Sequence, residues 1–307
     1  MIKKITPGMT LVGGKYSETL TGGGGDDRIT TEFGYAQIYG DAGNDYLQGS
    51  DQHGQIEGGF GNDTNYGRGG DDFITDDQGN NWIDGGGGSD SINIFAYKSV
   101  QQTIYGGDGD DRVRAYVDLL AGMLLLDGGG GNDDLSTEKA KSATLLGGEG
   151  NDNLSAENRI DRSLGIASLD GGSGDDRLSA EGFKSATLVG GVGNDTLNAN
   201  VSNGLLLNGG GGNDFLSFYG AANAMVVGGE GDDTLSPNSG ASTLTGGAGR
   251  DVLRLTNYWS DMAPNVLFTD FKVGSGGDVV DVEELLKGGL INYNTFSINV
   301  FGMLLAM

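Results

Sequence analysis

Residues 22–29 read GGGGDDRI, residues 147–154 read GGEGNDNL and residues 190–197 read GGVGNDTL. The shared frame is Gly-Gly-x-Gly-x-Asp-x-apolar. It occurs thirteen times, beginning at Gly22, Gly40, Gly58, Gly67, Gly85, Gly106, Gly128, Gly147, Gly171, Gly190, Gly209, Gly228 and Gly246. The sixth position is Asp in every copy: Asp27, Asp45, Asp63, Asp72, Asp90, Asp111, Asp133, Asp152, Asp176, Asp195, Asp214, Asp233 and Asp251. Only two copies replace the second Gly, by Asp41 and Arg68. Starts lie mostly 18 or 19 residues apart, with one interval of 9 and three of 21 to 24. Degenerate copies lie between the complete ones: GGKYSETL from Gly13, TEFGYAQI from Thr31, GSDQHGQI from Gly49 and DDQGNNWI from Asp76. A full period is therefore two nonapeptides, one Gly-rich and one plain. After Ile92 the plain half lengthens.

Apolar residues flank every Gly-rich stretch. The residue two before the first Gly and the residue two after the Asp are each apolar in twelve of thirteen copies, and Asn65 is the shared exception. Short apolar-x segments between Gly-rich turns at fixed spacing predict a parallel β-solenoid. Each coil carries two strands, and stacking at about 4.8 Å makes ladders of the inward side chains. One coil cannot bury its apolar face alone, whereas a stack can. The expected fold is all-β: a parallel β-solenoid of about 18–19 residues per coil. Its expected parts are an N-terminal cap at 1–12, the repeat region at 13–253 and a C-terminal capping segment at 254–307.

The 9-residue interval has a geometric consequence. Loops at Gly22, Gly40 and Gly58 are 18 apart and share one edge. Gly67 follows by half a coil, so it falls on the opposite edge, and Gly85 stays there. If each later interval is one coil, all remaining loops share that second edge, and longer plain halves bulge on the first. Asn65 lies in the strand that joins the two rows.

The chemistry of these loops points to a hard cation. The 307 residues include 61 Gly, 43 acidic and 18 basic residues and no Cys, for a formal charge of −25. Such a field attracts cations and repels nucleic acid and anionic membranes. Without Cys, disulfides and thiolate metal sites are excluded. Calcium takes 6–8 oxygen ligands in flexible geometry. Gly can turn carbonyls toward an ion and Asp adds short anionic oxygens. Stacked loops would otherwise align carboxylates that repel one another.

Other readings fare worse. No Gly-Lys-Ser/Thr follows any loop, so a phosphate cradle is not expected. His53, the only histidine, reads as a solvated turn residue, and Lys139, Lys141 and Lys184 as solvated. Trp82 and Trp259 read as core or capping residues. No regular Thr-x-Thr row suggests ice binding. No nucleophile–base pair or H-E-x-x-H is present, so no enzymatic activity is expected. There is no apolar run of transmembrane length and no N-terminal h-region.

The nonapeptide resembles the RTX (hemolysin-type) calcium-binding repeat over Gly13 to Leu253. The resemblance implies a right-handed parallel β-roll with Ca²⁺ between loops of successive coils. It implies as ligands the thirteen sixth-position Asp residues and carbonyls of Gly22, Gly24, Gly40, Gly58, Gly85, Gly106, Gly128, Gly147, Gly171, Gly190, Gly209, Gly228 and Gly246. One ion per adjacent intact pair gives about two on the first edge and about nine on the second. The stretch LFTDFKVGSGGDVVDVEELLKG, Leu267 to Gly288, resembles the C-terminal region of type I secretion substrates. There, Asp270 and Asp278 are further candidate ligands.

Together these features predict a secreted, non-enzymatic, monomeric protein that folds on Ca²⁺ outside the cell. A type I exporter and a surface or matrix target are the expected partners. A Ca²⁺-dependent membrane-acting effector and a polysaccharide-modifying enzyme on a solenoid are the alternatives.

Overall fold

Alternation of apolar with small or polar residues makes each short segment a strand with one buried face. In Ser142–Glu149, for example, Ala143 and Leu145 point inward while Thr144 and Leu146 are only half-buried. A computed structural model of the chain describes residues 2–4, 8–97, 101–118, 122–159, 161–162, 164–238, 241–255, 265–283, 298–300 and 303–305. It has two compact units, Met1–Glu157 and Asn158–Met307. Up to Asp281 the described residues are strands, turns and irregular connections. They form the expected β-solenoid.

In Met1–Glu157, consecutive strands alternate between two parallel sheets. The first sheet holds Glu18–Gly24, Ala36–Ala42, Gln55–Phe60, Phe73–Asp76, Ser91–Tyr97, Arg112–Asp118, Asp134–Glu138 and Asn153–Glu157, with Ile2–Lys4 at its margin. The second holds Thr10–Val12, Arg28–Thr30, Tyr46–Gln48, Thr64–Gly69, Asn81–Gly87, Gln102–Asp108, Leu124–Gly130 and Ser142–Glu149. Register puts each repeat position on its equivalent one coil away. Leu20, Ile38, Ile56, Ile74, Ile92, Val113, Leu135 and Leu154 form one buried ladder. Facing it run Ile29, Leu47, Asn65, Ile83, Ile104, Leu126 and Leu145. Asn65 is the one polar rung, and it is fully buried.

Asn158–Met307 repeats the scheme. One ladder runs Leu178, Leu197, Leu216, Leu235, Leu253 and Val280. The other runs Leu169, Leu188, Leu207, Val226, Leu244, Phe268 and Val300. The stretch with secretion-like sequence thus extends both sheets, through Asn265–Phe268 and Val279–Asp281. The last pairing, Ile298–Val300 with Met303–Leu305, is antiparallel.

Two side chains differ from expectation. Trp82 is not core: it projects outward, 41% exposed, with its ring 5.0 Å from that of Tyr105 one coil on. In a strand, position 82 necessarily faces away from its neighbour Ile83, which takes the core rung. Lys139 is only half-buried, adopts a left-handed φ of 64° and holds its ammonium 4.7 Å from the centre of the Tyr116 ring. Lys141, Lys184 and His53 are exposed as expected. Trp259 lies outside the described residues.

Candidate metal centres

The thirteen loops begin inside strands, so the sheet that each one leaves fixes its edge. Gly22, Gly40 and Gly58 lie in strands of the first sheet and lead to the second. Gly67, Gly85, Gly106, Gly128 and Gly147 lie in strands of the second and lead back to the first. The change of edge expected at Asn65 is therefore present. In Asn158–Met307 the five loops from Gly171 to Gly246 all lie in strands of the sheet that carries the Leu169 ladder.

Loop shape depends on two left-handed residues. The second and fourth positions have positive φ, as at Gly86 (105°) and Gly88 (122°). The two substituted second positions keep it, Asp41 at 73° and Arg68 at 82°. A Cβ at the fourth-position Gly43 would also run into the Gly25 carbonyl of the preceding coil. At the third position of the first loop, Gly24, nothing lies near where a Cβ would be, which explains why Phe60, Glu149 and Val192 are accepted there.

The sixth-position carboxylates stack through one oxygen and leave the other over. The Asp27 N–H donates to Asp45 Oδ1 (2.7 Å) and the Asp45 N–H to Asp63 Oδ1 (2.8 Å). On the opposite edge the Asp72, Asp90, Asp111 and Asp133 N–H groups donate to Oδ1 of Asp90, Asp111, Asp133 and Asp152. In the second unit the chain runs from Asp176 through Asp195, Asp214, Asp233 and Asp251 to Asp278. All thirteen Asp residues are buried. The Oδ2 atoms of Asp27, Asp45, Asp63, Asp72, Asp90, Asp111, Asp133, Asp195, Asp214, Asp233 and Asp251 accept no hydrogen bond.

Those oxygens converge on the bare face of the first Gly. A Cβ at Gly22 would lie 2.6 Å from Asp27 Oδ2 and 2.8 Å from the carbonyl oxygen of Gly40 in the next loop. The same pair, own-loop carboxylate and next-loop carbonyl, recurs at Gly40, Gly67, Gly85, Gly106 and Gly128, and at Gly171, Gly190, Gly209 and Gly228. Burial pushes the carboxyls up, to about 7 for Asp45, Asp72, Asp111 and Asp233 and to about 6 for Asp63, Asp90, Asp133 and Asp195. At Asp45, Asp111 and Asp233, neighbouring carboxylates of the row add to the rise. A buried anionic oxygen without a donor is costly unless a cation faces it. Among the described residues no three acidic or His side chains converge. The remaining ligands of an ion here are then carbonyls, and these loops present them. The donor set is hard, all-oxygen and anionic, which fits Ca²⁺.

A second ladder was not anticipated. The fifth position is Asp or Asn in eleven of thirteen copies, and its side chain stacks too. The Asn44 N–H donates to Asp26 Oδ1 (2.7 Å), Asn62 to Asn44, Asn132 to Asp110, Asn194 to Asp175, Asn213 to Asn194 and Asp232 to Asn213. This ladder is exposed and runs opposite in sense to the inner one. The compositional bias at that position was the available signal.

The C-terminal stretch closes the last loop rather than repeating it. Asp270 accepts the N–H groups of Gly246 and Gly247 (both 2.9 Å). Asp278 accepts from Asp251 through Oδ1 and from the Lys272 N–H through Oδ2 (2.6 Å). Lys272 Nζ donates to the Gly247 carbonyl at 2.7 Å. Asp278 is thus a fourteenth rung with both oxygens engaged.

A family model described as the RTX calcium-binding nonapeptide repeat (4 copies) matches residues 10–35, 37–64, 66–93, 103–116, 143–158, 165–183, 185–203, 206–222 and 226–255, more than half of the chain. No curated protein and no solved structure matches it.

Proposed function

The chain belongs to the RTX calcium-binding nonapeptide-repeat family, and from that membership we propose that it is an exported, non-enzymatic protein whose coils assemble on Ca²⁺ outside the cell. Repeats of this family bind Ca²⁺, and the row of buried Oδ2 atoms that hydrogen bonding leaves over is the observation that carries the reading to these residues. The sixth-position Asp Oδ2 and the first-Gly carbonyl of the following loop are the proposed ligands, for on the order of ten ions. Bound Ca²⁺ would supply positive charge and a coordination shell at each cradle. The chain supplies the rest: left-handed residues shape the loop, Oδ1 fixes the carboxylate, and the apolar ladder holds successive loops in register.

A solenoid without a catalytic constellation presents repeated outer faces, which suits a matrix, surface or adhesion role. Circular dichroism tests the central claim. In EDTA the chain should be largely coil, and at millimolar Ca²⁺ it should become β, since extracellular calcium modules bind at about 10⁻⁴–10⁻³ M. A β spectrum indifferent to EDTA would overturn it.

Export is proposed to run through a type I exporter that reads the C-terminal stretch. Deleting Leu267 to Met307 should abolish secretion, and deleting Met1 to Lys4 should not. Because the first deletion also removes strands of the last coils, the truncated protein's Ca²⁺-induced β signal must be recorded alongside.

A further inference from the structure

The first-edge row ends at a degenerate loop, residues 76–81, read DDQGNN. By composition it has lost the motif: Asp76 and Asp77 replace the two Gly, and Asn81 replaces the sixth-position Asp. Its backbone keeps the stacking from the third position on, although Asp77 does not take the left-handed φ of the second position. Gln78 bridges Phe60 in parallel, and Gly61 and Gln78 exchange hydrogen bonds with Gln78 and Gly59. Gly79 keeps the left-handed φ, at 121°. Asn80 continues the outer ladder onto Asn62, and Asn81 Oδ1 accepts the Asp63 N–H at 3.0 Å. The loop is stacked on the Gly58 loop through its third to sixth positions.

What changes is where the carboxylate comes from. At Gly22 and Gly40 the nearest atom to a would-be Cβ is Oδ2 of the loop's own sixth Asp. At Gly58 it is Asp76 Oδ2, and Asn65 Nδ2 lies 3.0 Å from the same point. Asp76 occupies the inward register position held by Gly22, Gly40 and Gly58 in earlier coils and by Ile94 in the following one. Asp76 and Asn65 are both 0% exposed and Asp63 1%. Asn65 Nδ2 donates to Asp76 Oδ2 at 2.8 Å. Three oxygens of this group then accept no hydrogen bond: Asp76 Oδ1, Asn65 Oδ1 and Asp63 Oδ2. Asp63 is the sixth-position Asp of the Gly58 loop, on whose first Gly the Asp76 carboxylate lies; burial chiefly holds Asp76 well above the usual range, and the charge of Asp63 adds to it.

We propose that Asp76, Asn65 and Asp63, with carbonyls of the Gly58 loop, form an additional Ca²⁺ site at the end of the first row, outside the repeat pattern. Asp76 supplies at the Gly58 cradle, from the first position of the following loop, the carboxylate that the loop's own sixth Asp supplies at Gly22 and Gly40. Asn65 breaks the apolar ladder because its amide orients Asp76 and adds a carbonyl oxygen. The row stops there: Asn81 turns an NH₂ where other loops turn Oδ2, and on the next coil Gln102 donates its own amide to the Gly79 carbonyl at 2.9 Å. This inference rests on the calcium reading of the intact loops.

Crystals of the unaltered chain grown in CaCl₂, with anomalous maps at long wavelength, separate the two claims. The expected result is a peak between the Gly58 and Asp76 loops in addition to peaks between the Gly22, Gly40 and Gly58 loops. Peaks at the intact pairs with none beside Asp76 would identify a protonated Asp76 sharing a hydrogen bond with Asn65, and would overturn the site alone. No peak at any loop would overturn both. In solution, native mass spectrometry of Asp76→Asn should show one Ca²⁺ fewer than the unaltered chain, and an equal count would also defeat the proposal. Should Asp76→Asn fail to fold, the map of the unaltered chain decides.

Discussion

A sixth-position Asp such as Asp195 divides its two oxygens, Oδ1 to the neighbouring loop's N–H and Oδ2 to the cradle at the first Gly. Asn keeps the first role and loses the second, as Asn81 shows. Asp195→Asn should therefore keep the stacked loop yet raise the Ca²⁺ midpoint of folding about tenfold, since a lost charge-assisted contact costs about 1.5–3 kcal/mol. An unchanged midpoint in a dichroism titration would contradict the ligand role. The second position carries a different expectation. Arg68 holds a left-handed φ that costs a side-chain-bearing residue about 1–2 kcal/mol, and its ion pair with Asp51 is exposed. Arg68→Gly should raise the thermal midpoint in saturating Ca²⁺. The sixth-position row was legible in the sequence because its residue never varies. The fifth-position row was not: Asp and Asn alternate there, and turn propensity explains both without any ladder. Asp76 was hidden for a related reason, since a carboxylate moved from sixth to first position looks like decay of the motif.

Successive loops are joined by two hydrogen-bond ladders of opposite sense, one buried and one exposed. The buried one sets the pH response. Burial holds Asp45, Asp63, Asp72, Asp90, Asp111, Asp133, Asp195 and Asp233 at about 6 to 7 in the folded state, against 3.8 when solvated. A raised folded value means stabilisation that is complete below about 3.8 and lost as pH rises through 6 to 7. Without Ca²⁺ the β-structure should therefore be greater at pH 5 than at pH 8 in EDTA. Because protons and Ca²⁺ compete for the same oxygens, the Ca²⁺ midpoint should fall between pH 6 and pH 8. Dichroism at pH 5, 6 and 8 checks both, and more β-structure at pH 8 than at pH 5 in EDTA would refute the account. Strand positions were legible because in a solenoid the sequence period is also the spatial period. After Ile92 the added residues fall in sequence between strands such as Ser91–Tyr97 and Gln102–Asp108, and the bulge expected there lies outside the described residues. Their course could not be read from the sequence, since a segment without the repeat pattern carries no register signal.

For the whole chain, a charge of −25 and 61 Gly oppose folding through self-repulsion and ordering entropy. Ion choice follows from the cradle. Loop carbonyls and one or two carboxylates suit the longer, irregular shell of Ca²⁺, whereas Mg²⁺ demands a near-ideal octahedron and sheds water reluctantly. Millimolar Mg²⁺ should leave the chain as coil in conditions where Ca²⁺ gives β-structure, and equal folding by the two ions would count against the cradle described. Fold class and the edge change were legible because both depend on counting residues between loops. Which faces carry aromatics was not, since outward positions are free of the core constraint; the Tyr46–Tyr66 and Trp82–Tyr105 pairs were set by register alone.

The 9-residue interval leaves a mechanical signature. Between Gln55 and Asp76 the chain passes one loop on each edge, Gly58 and Gly67, whereas later coils carry intact loops on one edge only. Pulled from its ends, a coil clasped along one side peels open from the other, and its fasteners yield in turn. The coil clasped on both sides has no free side from which to peel. In a single-molecule stretching trace this segment should resist longest, as a rivet in an otherwise zippered seam, and chelator in the buffer should erase the difference.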